Sequence, residues 1–198
     1  RKKMKIRITA PESIHATIQL PSSKSISNRV LIMNALANSN HQPENLSDCD
    51  DTQVMIRALQ AQPDETIDIM AAGTAMRFLT AYFSVTPGTR TITGTERMKQ
   101  RPIGILVDAL RELGADIEYV ENEGFPPLRI TGKTLSGSHI TLPGNISSQY
   151  ISALLMIGPK LENGLNITLT GTIISLPYIN MTLQLMADFG AKASWVND

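Results

Sequence analysis

The first twenty residues alternate between apolar and polar side chains, whereas apolar residues further along recur with helical spacing. Ile6 and Ile8 form one alternating stretch, and Ala16, Ile18 and Leu20 form another, which predicts a strand at each. Further strands are predicted at residues 66–70, 91–93, 116–120, 128–131, 140–142, 165–169 and 192–196. Helices are predicted at residues 30–37, 51–59, 74–83, 102–113, 149–156 and 177–190.

Residues typical of helix caps mark several of these boundaries. Asp50 or Asp51 is the predicted N-cap of the second helix, and Gly114 is a suitable C-cap. Pro102 and Pro177 are each predicted to open a helix. Short helices and strands therefore interleave along the whole chain, which indicates an α/β protein of the α+β type.

Two stretches of the chain resemble each other closely enough to suggest an internal repeat. Residues 109–116 are similar to residues 185–192, and each stretch ends a proline-started helix and leads towards a short predicted strand. An anion-type helix start followed by a strand precedes both stretches. The first third of the chain gives a weaker copy, so we predict three helix–strand–helix–strand units that present one surface three times.

Composition narrows the class of function. The chain has 198 residues, 42% of them hydrophobic and 18% charged, with a net charge of zero. A neutral chain argues weakly against nucleic-acid or anionic-membrane partners. A single cysteine excludes an internal disulfide and a cysteine zinc cluster, and the three histidines lack ligand spacing, so no metal site is expected. Without a run of membrane length, a cytoplasmic protein is the default expectation.

Three helix starts look suited to anions. Small or hydroxyl residues precede an apolar helical run in the segments Ser22–Arg29, Ala72–Arg77 and Asn145–Tyr150. A helix N-terminus offers free N–H groups and the positive end of the dipole, which favours phosphate or carboxylate. Lys24 and Arg29 add cations to the first of these starts. The simpler reading of each segment is N-capping or a solvated first turn, and the first is not a nucleotide P-loop because the required glycines are absent.

A basic segment and a later helix start complete the candidate chemistry. Three cations stand within Arg97–Arg101, directly before a predicted helix and after a predicted strand end, where α/β proteins often bind ligands. Ser147, Ser148 and Gln149 offer uncharged donors. Ser175 and Tyr178 flank Pro177, and the Tyr178 ring is suited either to covering a ligand or to packing.

Taken together, these motifs resemble the 5-enolpyruvylshikimate-3-phosphate synthase family. The resemblance rests on five segments in order along the chain, namely Lys24–Arg29, Ala72–Arg77, Arg97–Gly104, Ser147–Gln149 and Ser175–Tyr178. It implies transfer of the enolpyruvyl group of phosphoenolpyruvate to the 5-hydroxyl of shikimate 3-phosphate, with release of phosphate and with no metal or organic cofactor. It also implies two lobes, each of three βαβαββ-like units, with the substrates between them.

On this resemblance the chain is the N-terminal half of such an enzyme. Residues 21–198 would form the substrate-binding lobe, and residues 1–20 would form terminal strands that pair with the second lobe. The acidic proton-transfer residues of the family, and further cations that bind phosphoenolpyruvate, belong to that second lobe. No part of this chain matches them.

The resemblance also assigns roles to individual residues. Phosphoenolpyruvate would be held by Lys24, Gly73, Arg97 and Gln149, with Lys24 also helping to move protons or charge. Shikimate 3-phosphate would be held by a second set, which comprises Lys24, Ser25, Arg29, Ser147, Ser148, Gln149, Ser175 and Tyr178. The chain departs from the family pattern at Ser22, Ala71 and Phe78, where glycine, asparagine and proline are common.

Two other functions remain open at this point. A related enolpyruvyl transferase acts on UDP-N-acetylglucosamine, but it usually has Lys-Asn where this chain has Lys24-Ser25, and a cysteine in the loop near Arg97. The lone Cys49 is distant from that loop in sequence. The other alternative is a non-catalytic lobe that only captures phosphorylated ligands.

Overall fold

Seven helices and six strands form in residues 5–196, which are the residues that the computed structural model describes. The helices are α1 (Lys24–Leu36), α2 (Asp50–Ala58), α3 (Gly73–Ser84), α4 (Glu96–Lys99), α5 (Gly104–Glu112), α6 (Ser148–Ile157) and α7 (Leu176–Asp188). The strands are β1 (Thr66–Asp68), β2 (Gly88–Thr93), β3 (Asp116–Tyr119), β4 (Leu128–Gly132), β5 (His139–Pro143) and β6 (Asn166–Thr170). The mixed α/β class predicted from the sequence is confirmed.

The strands form two separate sheets. The larger has the order β1-β2-β4-β3, with β1 parallel to β2 and β4 antiparallel to both of its neighbours. The smaller consists of β5 and β6, which run parallel. Parallel neighbours need a crossover, and α3 and α6 provide it between β1 and β2 and between β5 and β6.

Helix α3 is the centre of the core. Every one of its residues is buried except Tyr82, and it packs against α1, α2, α5, α6 and β4. Its polar residues Thr80 and Ser84 donate their hydroxyl protons to backbone carbonyls one turn earlier, at 2.7 and 2.8 Å, so burial leaves neither hydroxyl unpaired. Because α3 is held on all sides, the position of its N-terminus at the candidate site is fixed by the core.

Two predicted strand regions are not strands in this structure. Residues 5–20 and 191–196 form no ladder, and Ile6, Ile8 and Val196 are exposed. Alternation predicts which face of a strand is apolar but does not provide a partner. Strand β3 forms because β4 pairs with it. No strand among the described residues pairs with residues 5–20 or 191–196. The parts of the predicted segments that fall on residues 1–4 and 197–198 lie outside the described residues.

Two predicted helix starts are also wrong in detail. Cys49, not Asp50 or Asp51, is the N-cap of α2, and its side chain makes no capping hydrogen bond. The helix expected from Pro102 begins at Gly104, with Ile103 as its N-cap. Pro177 does lie in the first turn of α7, as predicted.

The threefold repeat stays a prediction. The middle of the chain has the full order β1-α3-β2-α5-β3-β4, apart from the short helix α4, and the last third has β5-α6-β6-α7. The first third contains α1 and α2 without a strand among its described residues. None of the helices in residues 5–196 combines the length and apolar character required to cross a membrane.

Candidate functional site

The first helix start places a lysine beside an aspartate. Ser23 caps α1 by accepting a hydrogen bond from the Ile26 N–H at 3.3 Å, which leaves Lys24 as the first helical residue. The Lys24 ammonium lies 3.3 Å from a carboxylate oxygen of Asp51, in the first turn of α2. Lys24 was predicted as a site residue, but its partner was not. The exposed Lys24 side chain remains accessible to a ligand.

Arg29 is buried, and its donors are used within the chain. Its Nε donates to Thr182 Oγ1 at 2.7 Å, and its two Nη atoms donate to the Ser25 carbonyl and to Ser152 Oγ, both at 2.9 Å. The guanidinium also lies over the rings of Phe78 and Tyr178, at 5.3 and 5.8 Å from their centroids. Arg29 therefore joins α1, α6 and α7.

Burial has an electrostatic consequence for Arg29. It lowers the pKa of the guanidinium to about 10, with the neighbouring Tyr178 acting in the opposite direction. The side chain therefore stays charged at neutral pH, although it is only 3% exposed. Its predicted contact with shikimate 3-phosphate stays a prediction, and the structure adds a role in packing that the sequence did not indicate.

The start of α3 is surrounded by arginines. The Arg77 guanidinium donates to the carbonyls of Gly73 and Pro102, at 3.2 and 3.1 Å. The Arg101 guanidinium lies directly against Gly73, because a Cβ built there would be 2.9 Å from Arg101 Cζ. Only glycine permits this approach. The family resemblance places Gly73 at phosphoenolpyruvate, and that role stays a prediction; the group that lies against Gly73 in this structure is the Arg101 side chain.

The positive charge at this place is not balanced by nearby acids. Burial lowers the pKa of Arg101, and the positive charges of Arg77 and Arg97 lower it further. Among residues 5–196, none of these three arginines has an acidic side chain within ion-pair distance. The N-terminus of α3 adds the positive end of its dipole. An anion bound here would relieve the repulsion.

A cavity adjoins this cluster of arginines. It has a volume of about 450 Å³ and is lined by Ala71, Thr95, Arg97, Met98 and Arg101. Arg97 lies on α4, which Thr95 caps by accepting from the Met98 N–H at 3.3 Å. The short helix α4 was not predicted. It turns the exposed Arg97 side chain towards the cavity, so the predicted site residue does reach this place.

The starts of α3 and α6 are linked by a hydrogen bond. Gln149 Nε2 donates to Thr74 Oγ1 at 3.1 Å, so the predicted residues Gly73 and Gln149 belong to one region. Ser147 is the N-cap of α6 and accepts from the Gln149 N–H at 3.3 Å, which is the capping role considered from the sequence. Ser148 follows it as the first helical residue.

Of the last predicted pair, Ser175 and Tyr178, only Tyr178 contacts Arg29. Ser175 is the N-cap position of α7 and makes no side-chain capping bond. Tyr178 is 46% exposed, with one ring face over the Arg29 guanidinium. One face of the ring therefore packs on Arg29 while part of the side chain stays exposed, and the predicted ligand contact of Tyr178 stays a prediction.

Sequence reasoning missed three residues of this region. Arg77 and Arg101 lie within segments that carry the family resemblance, but the resemblance assigned no role to either residue. Asp51 was considered only as a helix cap. Its contact with Lys24 depends on how α1 packs against α2, which no local pattern reports.

Replacement of Gly73 tests the geometry at the start of α3. We expect Gly73→Ala to displace the Arg101 guanidinium, because the new Cβ takes its place. The free energy of unfolding should change by less than about 1 kcal/mol, since a flexible side chain moves at little cost and alanine favours the helix. The Arg101 Nε–Hε resonance should shift clearly in NMR spectra.

Gly104→Ala is the matched control, because Gly104 is also the first residue of a helix and a Cβ there meets only ordinary contacts, at 3.8 Å or more. An Arg101 resonance that moves no more in Gly73→Ala than in Gly104→Ala would contradict the described geometry.

Comparisons with known proteins agree on one family. The chain matches the family model of EPSP synthase (3-phosphoshikimate 1-carboxyvinyltransferase) over residues 8–62 and 58–197. It is 71% identical over 195 residues to the 3-phosphoshikimate 1-carboxyvinyltransferase of Bacteroides fragilis, covering 98% of this chain and 47% of that protein. It is 43% identical over 216 residues to the Haemophilus influenzae protein of the same name, covering 95% of this chain and 50% of that one.

A solved structure shares the fold. The EPSP synthase from Acinetobacter baumannii superposes with a TM-score of 0.76 at 21% identity, covering 90% of this chain and 45% of that chain. The chain thus spans about half the length of the curated relatives that it matches.

Proposed function

The chain belongs to the EPSP synthase family, and from that premise we propose that it is the N-terminal half of a 3-phosphoshikimate 1-carboxyvinyltransferase. The complete enzyme would transfer the enolpyruvyl group of phosphoenolpyruvate to the 5-hydroxyl of shikimate 3-phosphate and release phosphate. It would act in the cytoplasm, with no nucleic-acid or membrane partner and no cofactor.

The observation that carries this proposal is the unbalanced positive charge at the start of α3. Arg77, Arg97 and Arg101 converge there beside a cavity, without an acidic partner among the described residues. Such a site stabilises a multiply charged anion by preorganised charges and dipoles, which need not rearrange when the ligand arrives. Phosphoenolpyruvate carries a phosphate and a carboxylate, and both groups suit guanidinium donors.

We assign the two substrates to neighbouring parts of the lobe. The exposed Lys24 and Arg97 and the half-buried Gln149 would contact phosphoenolpyruvate beside Gly73. Shikimate 3-phosphate would be held by the hydroxyl-rich starts of α6 and α7, through Ser147, Ser148, Ser175 and Tyr178, together with Ser25, Lys24, Arg29 and Gln149. The two groups of residues meet at the Gln149–Thr74 hydrogen bond, which would place the substrates side by side.

In the reaction, the residues of this lobe would bind, orient and supply charge. Lys24 would stand where it can stabilise developing negative charge or carry a proton. The arginines would stabilise the phosphate as it leaves. A second lobe would complete the site, exclude water and supply the carboxylates for proton transfer. Residues 1–20, whose described part from residue 5 onwards is without a strand here, would pair with that lobe.

The alternative transferase that acts on a UDP-sugar fits less well. Cys49 caps α2, whereas the loop around Arg97 forms α4 and contains no cysteine. The family match also names EPSP synthase. A lobe that only captures ligands would share the same binding residues, so turnover by the complete protein separates it from the proposed enzyme.

Calorimetry tests the phosphate-binding part of the proposal. We expect the lobe to bind shikimate 3-phosphate with measurable heat and to bind shikimate far more weakly. Ser148→Ala should weaken binding of shikimate 3-phosphate by about 1.5–3 kcal/mol, the range for a hydrogen bond to a charged group. Ser148 is preferable to Ser147, whose loss would also remove the cap of α6.

Ser136→Ala serves as the control, because Ser136 is exposed and lies in the connection before β5. Equal affinity for shikimate and shikimate 3-phosphate would refute the assignment of the α6 start to a phosphate.

A further inference from the structure

Asp51 places a carboxylate among the cations of the candidate site. Its oxygen lies 3.3 Å from Lys24 Nζ, and the two side chains are 25% and 49% exposed. Its negative charge also acts on Arg101, where it opposes the effects of burial and of the other arginines. Asp51 is therefore in direct contact with Lys24, although an acid is an unexpected group in a site for anions.

The helix dipoles give a physical reason for this arrangement. Lys24 is the first residue of α1, where the positive end of the dipole disfavours a cation. Asp51 is in the first turn of α2, where the dipole favours an anion. A lysine side chain is long and flexible, so an ammonium without a partner at the α1 start would turn away into solvent. The Asp51 carboxylate offsets the unfavourable effect of the α1 dipole on Lys24 and keeps the ammonium from turning into solvent.

We propose that Asp51 is a positioning residue for Lys24, holding its ammonium between the starts of α1 and α2 in the orientation that the reaction uses. This inference rests on the proposed function, in which Lys24 meets phosphoenolpyruvate. A carboxylate at this place repels an anionic substrate, so Asp51 weakens binding somewhat while improving orientation. The rival explanation is a structural ion pair that merely ties α1 to α2.

Steady-state phosphate release by the complete protein separates these explanations. With Asp51→Asn we expect kcat to fall about tenfold or more, because a displaced reacting group slows the chemical step. KM for phosphoenolpyruvate should stay the same or decrease, because one repelling charge has been removed. Asp51→Glu restores the charge and should recover most of the lost kcat.

Asp50→Asn is the matched control, since Asp50 is the exposed neighbour in the same helical turn. It removes the same charge from the same helix and should leave kcat within about twofold of the unchanged protein.

Three results would overturn the inference. One is a kcat for Asp51→Asn within about twofold of the unchanged protein, with or without a lower melting temperature. Another is a raised KM with unchanged kcat. The third is a loss of kcat that Asp51→Glu does not recover. If the unchanged protein releases no phosphate from the two substrates, the proposed function fails first and the inference fails with it.

Discussion

We expect residues 1–198 on their own, the proposed N-terminal half of the enzyme, to release no measurable phosphate from phosphoenolpyruvate and shikimate 3-phosphate. The reaction needs a base for the 5-hydroxyl proton and an acid for the methylene carbon. Lys24 is one candidate, but one group in a fixed geometry does not readily do both. In the proposed enzyme, the carboxylates that would help are those of the second lobe. Losing several such contributions, at about 2–4 kcal/mol each, removes any measurable rate.

A matched variant makes this negative result informative. Lys24→Ala should be as inactive as the unchanged lobe, while shikimate 3-phosphate should still bind the unchanged lobe and show that it is folded. Steady release by the lobe alone, abolished in Lys24→Ala, would mean that the acid–base groups lie in this half and that we have misplaced them.

Arg29→Ala should lower the free energy of unfolding of the lobe by about 2–4 kcal/mol, as measured by urea denaturation. The substitution removes three hydrogen bonds that join α1, α6 and α7 and leaves a void beneath Phe78 and Tyr178. Two effects limit the loss. Ser152 and Thr182 still bond each other at 2.9 Å, and a buried charge is removed.

Arg57→Ala is a suitable control, since Arg57 is an exposed arginine in the last turn of α2. It should change the free energy of unfolding by less than about 0.5 kcal/mol. An Arg29→Ala lobe as stable as Arg57→Ala would show that the Arg29 contacts contribute nothing to the fold. Affinity for shikimate 3-phosphate has to be measured where the Arg29 variant is folded, so that binding and stability are not confused.

Helices whose signals lie within their own sequence, and which pack into the core, were predictable from the sequence. The apolar run after Gly73 predicted α3, and Pro177 predicted the start of α7. Both depend on residues within the element itself. N-capping at the α6 start was likewise predictable, and Ser147 does cap α6. Ser23 also caps α1, although a solvated first turn was the simpler expectation there.

Whether a strand-like segment finds a partner was not predictable from pattern. Residues 5–20 and 191–196 alternate correctly, yet strands need a neighbour, and the described chain provides none there. The cysteine N-cap of α2 has no side-chain capping bond, so it left no signal in the sequence.

The same limit applies to the candidate site. Which residues carry charge could be predicted, but which groups they contact could not. The Arg29 partners Ser152 and Thr182 lie 123 and 153 residues away in sequence. Asp51 meets Lys24 across 27 residues. Gly73 was predicted as a contact of phosphoenolpyruvate and stays so, whereas the approach of Arg101 to it depends on the path of the chain after α4.

The most direct test of the two-lobe enzyme is phosphate release after this lobe is mixed with the separately expressed second half. We expect that neither half alone releases phosphate from the two substrates together, that the mixture does, and that Lys24→Ala in this half abolishes the release. A mixture that binds both substrates without turnover, when the joined chain is also inactive, would contradict the assignment as an enolpyruvyl transferase.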